Sequence, residues 1–420
     1  MLGMSTPKHP RLMPVSEESR VTPIELFFDL VFVFSLTQVT ALMAADLTIH
    51  GLVRGLLVLA LLWWCWVGYA WLGNVVRADE GVGRLAMFSA MGAMFVLALT
   101  VPEAFDDLPG GLTGPVIFAL AYLSVRLLQL LIFWMAAGDD YELRGQLIRF
   151  APSVFGSTAL LLVASQLHGT AQTWTWVALV VVDYVGTILA GASGWRLNSA
   201  AHFAERHGLI IIIALGESIV AIGGGVARLP ISAPIIAASL LGLAVAGCLW
   251  WTYFDIAALV AERVLRKAQG EERARMARDS YSYLHLPMIA GIVLLALGLK
   301  QVLEYVGDVS DHRLSDPLAL LPLAAMYGGV ALYLLAHVAF RYRNVRSWNV
   351  QRIVVAAALL TLIPAAAQIP ALGALGVLAA VLIALIVYEV MRFSEIRERV
   401  RHEEEVAVSH LSGDGHTHAD

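Results

Sequence analysis

The chain has 420 residues, of which 59% are hydrophobic and 15% charged, with a mean hydropathy of +0.74. A soluble domain carries about 45–50% apolar and about 25% charged residues, so this composition excludes an ordinary soluble protein. The net charge of −5 says less than where the charges fall, and it points to no nucleic-acid partner.

The apolar residues are gathered into runs of about 20 separated by short polar connections, the signature of membrane-spanning helices. Residues 1–23 are polar and partly basic (Lys8, Arg11, Arg20) and are expected to form a cytoplasmic segment. The first run, 24–44, opens with two carboxylates and lacks a small-residue cleavage site, so it is expected to be a membrane helix and not a signal peptide. Within it Glu25 and Asp29 are four apart and share one helix face. Two carboxylates on one dry face cannot both ionise cheaply: one keeps a proton or a cation neutralises them. Glu25 also suits a helix N-terminus, where a carboxylate meets free N–H groups.

The second run, 52–74, contains "LLWWCWVGYAW", expected to serve as an aromatic belt or in helix packing. After 84–102, the run 113–136 places Arg126 within "YLSVRLLQLLIFW". A charge in hydrocarbon costs about 2.5–3.5 kcal/mol on insertion scales, so Arg126 demands an acidic partner or an anionic ligand. Asp183, Glu217 and Asp29 are the candidates. The runs 147–167 and 173–193 follow, the second holding Asp183 beside Tyr184.

"HFAERHGLIIIIALGESIVAIGGG", residues 202–225, crosses from a connection into the seventh run, 208–227. Glu217 lies deep in that run between Gly216 and Ser218, ahead of Gly223, Gly224 and Gly225, and is the strongest single site candidate. His202, Glu205 and His207 invite comparison with the zincin motif, whose histidines are four apart on one face. Here they are five apart, and one helical face cannot present all three, so a polar cluster ahead of the helix is expected and no metal or cofactor. The eighth run, 234–256, ends at Asp255; the ninth, 282–303, opens with His285 ahead of Pro287; the tenth, 317–340, carries His337; 350–368 and 371–392 complete twelve. The histidines of "SHLSGDGHTHAD" are assigned to a polar cytoplasmic tail, 393–420. Cys65 and Cys248 lie in apolar runs and offer neither a disulfide framework nor a thiolate metal site.

The predicted fold class is therefore an all-α integral membrane protein of about twelve transmembrane helices. Of the 28 Lys and Arg, all but Arg54, Arg126, Arg228, Lys300 and Arg313 fall on the side shared by both termini, which places the termini in the cytoplasm. The two halves, 24–193 and 194–392, echo each other: "LWWCWVGY" and "LWWTYFD", Tyr122 with Arg126 and Tyr333 with His337, Asp183–Tyr184 and Tyr388–Glu389, Glu25 and Glu205. In this order they suggest a tandem 6+6 helix repeat.

"VTPIELFFDLVFVFSLTQVT", "HFAERHGLIIIIALGESIVAIG" and "YLHLPMIAGIVLLALG" resemble, in order, the signatures of the bacterial low temperature requirement protein A family. The resemblance implies a polytopic inner-membrane protein linked by name to growth in the cold, and it supplies no reaction. Its polar signature positions map to Glu25, Asp29, Glu205, Arg206, His207, Glu217 and His285.

The leading functional expectation is a proton- or cation-coupled secondary transporter of a small solute. Glu217 and Asp29 would be its proton or cation sites, and Arg126 would hold an anionic group or pair with a carboxylate. The alternative is a non-enzymatic membrane sensor or scaffold that responds to bilayer order. An intramembrane enzyme acting on lipid, with Glu205, His207 and His285 as acid–base groups, ranks last because no nucleophile motif is present. Partners are then membrane lipid and a small-molecule or ion substrate.

Overall fold

The computed structural model describes residues 15–392, apart from positions 18, 228 and 309. Both terminal segments, with the tail histidines and the tail's Lys/Arg block, lie outside the described residues apart from 15–23. Among the described residues the chain forms fourteen α-helices and no strand beyond an isolated bridge between Pro317 and Pro370.

The first six helices are α1 (Pro23–Ala45), α2 (Ile49–Val75), α3 (Gly81–Leu99), α4 (Gly114–Ala137), α5 (Tyr141–Ala164) and α6 (Gly169–Ala190). Then come α7 (Ala200–Val226), α8 (Ala233–Phe254), the short α9 (Ala257–Lys267) and α10 (Gly270–Met276), and α11 (His285–Gly307). The last three are α12 (Leu320–Val345), α13 (Val350–Ala366) and α14 (Ala371–Arg392). Eleven stretches are long and apolar enough to cross a bilayer, and α13 adds a twelfth, shorter apolar helix. The chain is thus a polytopic all-α membrane protein.

Local chemistry sets the helix ends. Pro23, Pro115 and Pro234 sit in first turns, where a missing N–H costs nothing. Asp140 caps α5 by accepting from Glu142 N and Leu143 N at 3.1 Å, and Ser199 caps α7 by accepting from His202 N at 3.1 Å. That Ser199 cap explains a difference from the sequence reading. The seventh helix begins eight residues before the apolar run, so Glu205, Arg206 and His207 lie inside it. A hydropathy window cannot see a helical turn built from polar residues. The same blindness hides the amphipathic α9 and the π-helical turn Ala277–Tyr283 that leads into α11.

Helices α2, α11 and α12 form the interior. Burial within their most apolar windows is 89%, 78% and 72%, against 28% for α6 on the rim. The tryptophans of α2 are therefore packing residues and not an interfacial belt. Trp63, Trp64, Trp66 and Trp71 are all buried. Trp63 and Trp71 donate to Ser282 O (2.8 Å) and Ser282 Oγ (3.0 Å), tying α2 to the π-helical turn.

Two glycines let α11 and α12 touch backbone to backbone. A Cβ on Gly291 would lie 2.4 Å from Gly329 O, and one on Gly329 would lie 2.6 Å from Gly291 O. Small residues replace the hydrophobic effect as the means of close packing inside a bilayer. Gly291→Ala should therefore lower stability by about 1–3 kcal/mol, since no flexible side chain can yield. Gly328, with open space around its Cβ position, supplies the control: Gly328→Ala should be near neutral in a thermal-unfolding comparison of the purified proteins.

Candidate functional site

Helices α1 and α7 run parallel, and the polar residues of both face each other. Arg206 donates from Nη1 to Glu25 Oε1 at 2.9 Å and from Nη2 to Asp29 Oδ1 at 2.6 Å. All three side chains are sealed from the surface. The second Glu25 oxygen accepts from Thr22 N and Thr22 Oγ1 at 2.9 Å and lies 3.0 Å from His202 Nε2. Glu25 thus both closes the helix start and neutralises Arg206. Trp66 Nε1 donates to Asp29 Oδ1 at 2.8 Å, while Asp29 Oδ2 and Arg206 Nε have no partner. One guanidinium serving two carboxylates answers the question raised by the paired acids of α1.

His207, one residue further along α7, turns away from this cluster into an aromatic chamber. Its Nδ1 contacts Phe203 O at 2.8 Å, which fixes Nδ1 as the donor and leaves Nε2 unpartnered. Rings of Trp66, Phe203, Tyr281 and His285 surround it at 4.5–5.2 Å between centroids. His285 Nε2 bonds Tyr253 Oη at 2.9 Å and its Nδ1 bonds Ser280 O at 3.1 Å. His285 is wholly buried, deeper than its place near a helix start suggests. Glu205 stays at the rim and accepts from Val21 N at 3.2 Å. His202, Glu205 and His207 therefore point to three different partners, and among the described residues no metal-ligand cluster forms.

Arg126 finds Asp183 among its three candidates. Its Nη2 lies 3.2 Å from Asp183 Oδ1, its Nη1 donates to Gln129 Oε1 at 3.0 Å, and Tyr122 Oη donates to Asp183 Oδ2 at 2.7 Å. Arg126 Nη1 also reaches Trp64 O at 3.4 Å. A second buried pair has a similar plan. Arg352 grips Glu389 with two parallel bonds, Nε to Oε1 at 2.9 Å and Nη2 to Oε2 at 2.8 Å, and its Nη1 donates to Thr252 O at 3.0 Å. Arg352 Nη1 also lies 2.7 Å from His337 Nδ1. In each case a guanidinium bridges a carboxylate of one helix and a backbone carbonyl of another.

Sequence reading missed Arg352 and Glu389 as a site and counted Arg206 and Arg352 as topology-setting charges in connections. One signal was present for Arg206. It stands four residues after His202, matching the four-residue spacing of Glu25 and Asp29, so two i,i+4 polar pairs were there to be docked.

Glu217 differs from every other buried acid of the bundle. It is 1% exposed, and Thr37 Oγ1 of α1 lies 2.6 Å from its Oε2. Among the described residues it has no cationic partner within ion-pair distance. Ser218 beside it carries a buried hydroxyl with no partner.

The family model described as "Bacterial low temperature requirement A protein (LtrA)" matches residues 20–387. An uncharacterized protein of Rhizobium meliloti (strain 1021) is 28% identical over 304 residues, which cover 67% of this chain and 69% of that protein.

Arg206→Gln should leave two buried carboxylates uncompensated and cost about 3–5 kcal/mol. Adding Glu25→Gln and Asp29→Asn removes the stranded charge and should recover most of that loss. Thermal unfolding in detergent reads both, and a triple variant as unstable as the single one would contradict the pairing.

Proposed function

We propose a function for a chain that belongs to the bacterial low temperature requirement A family: proton-coupled transport of a small solute across the bacterial inner membrane. The observation that carries it is Glu217, a carboxylate buried in a membrane helix with hydroxyl partners and, among the described residues, no cation at ion-pair distance. Such a group is tolerated in the interior as the neutral acid, and it becomes a charge only when water or a cation reaches it. That is the behaviour a coupling site requires. Asp29, with one oxygen on Arg206 and Trp66 and the other unpartnered, is the second proton-handling group. Arg126, matched by Asp183, is removed from substrate binding and becomes a helix-positioning charge.

A tandem 6+6 organisation, for which two similar buried pairs speak, would fit the same reading. Arg126 links α4 to α6 and to a carbonyl of α2, and Arg352 links α13 to α14 and to a carbonyl of α8. Carriers built from repeats place their sites between the repeats, and α1 with Thr37 meets α7 with Glu217 there. The excess of Lys and Arg on one side favours cytoplasmic termini.

One observation favours a membrane-sensing scaffold instead: Arg126, Arg206 and Arg352 all have matched carboxylates, as fixed glue between helices requires. Proteoliposomes loaded with a pH-sensitive dye separate the two. Challenged in turn with inorganic phosphate, succinate, alanine and potassium, the native protein should acidify or alkalinise the lumen with one of them. Glu217→Gln should abolish that proton movement while keeping the native melting temperature. A native protein that moves no proton with any of the four, or a Glu217→Gln protein that moves protons at the native rate, overturns the coupling site.

A further inference from the structure

We propose that the cavity enclosed by α8, α9, α12, α13 and α14 binds a phosphate group, carried either by a soluble phosphate ester or by the headgroup of a membrane phospholipid. The cavity measures about 310 Å³, which is within the usual range for a small-ligand site. Its place in the fold is the membrane–water boundary, because α8 ends there at Phe254, α12 ends at Val345, α13 begins at Val350 and α14 is about to end at Arg392.

Its lining is mixed. Ile256, Val260 and Phe340 are apolar, and Arg341, His337 and Ser347 carry donors. Arg341 faces the cavity half-buried, and among the described residues it has neither a hydrogen bond nor an ion pair. Arg352, in contrast, is neutralised by its bidentate bond to Glu389, so the pair contributes no net charge. Asp255 also lines the cavity and has a partner of its own.

His337 adds a second unsatisfied donor. Arg352 can only donate, so His337 Nδ1 must accept from it at 2.7 Å, and the proton of the neutral ring sits on Nε2. The 3.3 Å approach of Arg352 Nη1 to Nε2 is then donor against donor and cannot satisfy that proton. His337 is 1% exposed, so this N–H is buried beside the cavity with no acceptor. Among the described residues, a guanidinium with no hydrogen bond or ion pair and an imidazole N–H with no acceptor meet in one chamber. The complementary group is an oxyanion, and phosphate offers the most acceptor oxygens in that space. The apolar lining residues suit a glycerol or acyl neighbour. This inference does not depend on proton coupling.

The test uses full-length protein in nanodiscs of phosphatidylcholine with and without phosphatidylglycerol, with glycerol 3-phosphate as the soluble probe. Thermal shift and native mass spectrometry are the readouts, and Arg341→Gln is the variant. Because Arg341 makes no hydrogen bond or ion pair among the described residues, Arg341→Gln should melt like the native protein when no phosphate is present. Arg343→Gln is the control, since Arg343 pairs with Asp279 and Glu272. A native melting temperature raised by glycerol 3-phosphate, with affinity about tenfold weaker in Arg341→Gln and unchanged in Arg343→Gln, supports the soluble source. A phosphatidylglycerol molecule retained by the native protein and lost in Arg341→Gln, without a response to glycerol 3-phosphate, supports the lipid source. No response to either, or equal responses in Arg341→Gln, overturns the site. Failure here leaves the Glu217 experiment untouched.

Discussion

A charge inside a bilayer-spanning bundle has to find its counter-charge on another helix, and that constraint organises this molecule. Arg206 of α7 meets Glu25 and Asp29 of α1, Arg126 of α4 meets Asp183 of α6, and Arg352 of α13 meets Glu389 of α14. Breaking such a pair strands an ion whose solvation cost is several kcal/mol, so each pair rejects helix registers that misalign it. The apolar surfaces cannot do this, because lipid tails are as apolar as leucine and leave helices free to slide.

The interior between these pairs is aromatic. Trp63 and Trp66 of α2, Phe203 and His207 of α7, and Tyr281 with His285 at the start of α11 form one buried cluster. Its polar edges are mostly satisfied by backbone carbonyls and hydroxyls, and the exceptions are His207 Nε2 and Tyr281 Oη. The π-helical turn Ala277–Tyr283 presents Ser282 to α2, where Trp63 and Trp71 donate to it, and Tyr281 to Phe203 and His207 of α7. Orphaned polar atoms in a well-packed core are uncommon, and among the described residues Asp29 Oδ2, Arg206 Nε, His207 Nε2 and Tyr281 Oη fall in this cluster and the ion pairs beside it.

Glu217 and Arg341 stand out against this background for the same reason with opposite sign. Each is an ionisable side chain within the bundle with no counter-charge at ion-pair distance among the described residues. Glu217 sits where α1 offers only hydroxyls, and Arg341 faces a chamber whose other guanidinium is already matched. A structural role explains the matched pairs well and these two residues poorly.

What the sequence determined by itself was everything that depends on one helix at a time. The bilayer fixes how long an apolar run must be, so twelve apolar helices and a polytopic all-α architecture were legible from hydropathy, and Glu25, Asp29, Arg126, Asp183 and Glu217 were legible as costly residues. Helix starts made of polar residues, such as Ser199 to His207, were not legible, because the signal there is a cap and not hydrophobicity. Only the tertiary structure decided the partners: Asp183 over Glu217 and Asp29 for Arg126, Arg206 for the carboxylates of α1, Arg352 for Glu389 beside His337. The physical reason is that an ion pair between helices is fixed by which faces dock, and residues as far apart in the chain as Asp29 and Arg206 leave no local trace of that choice.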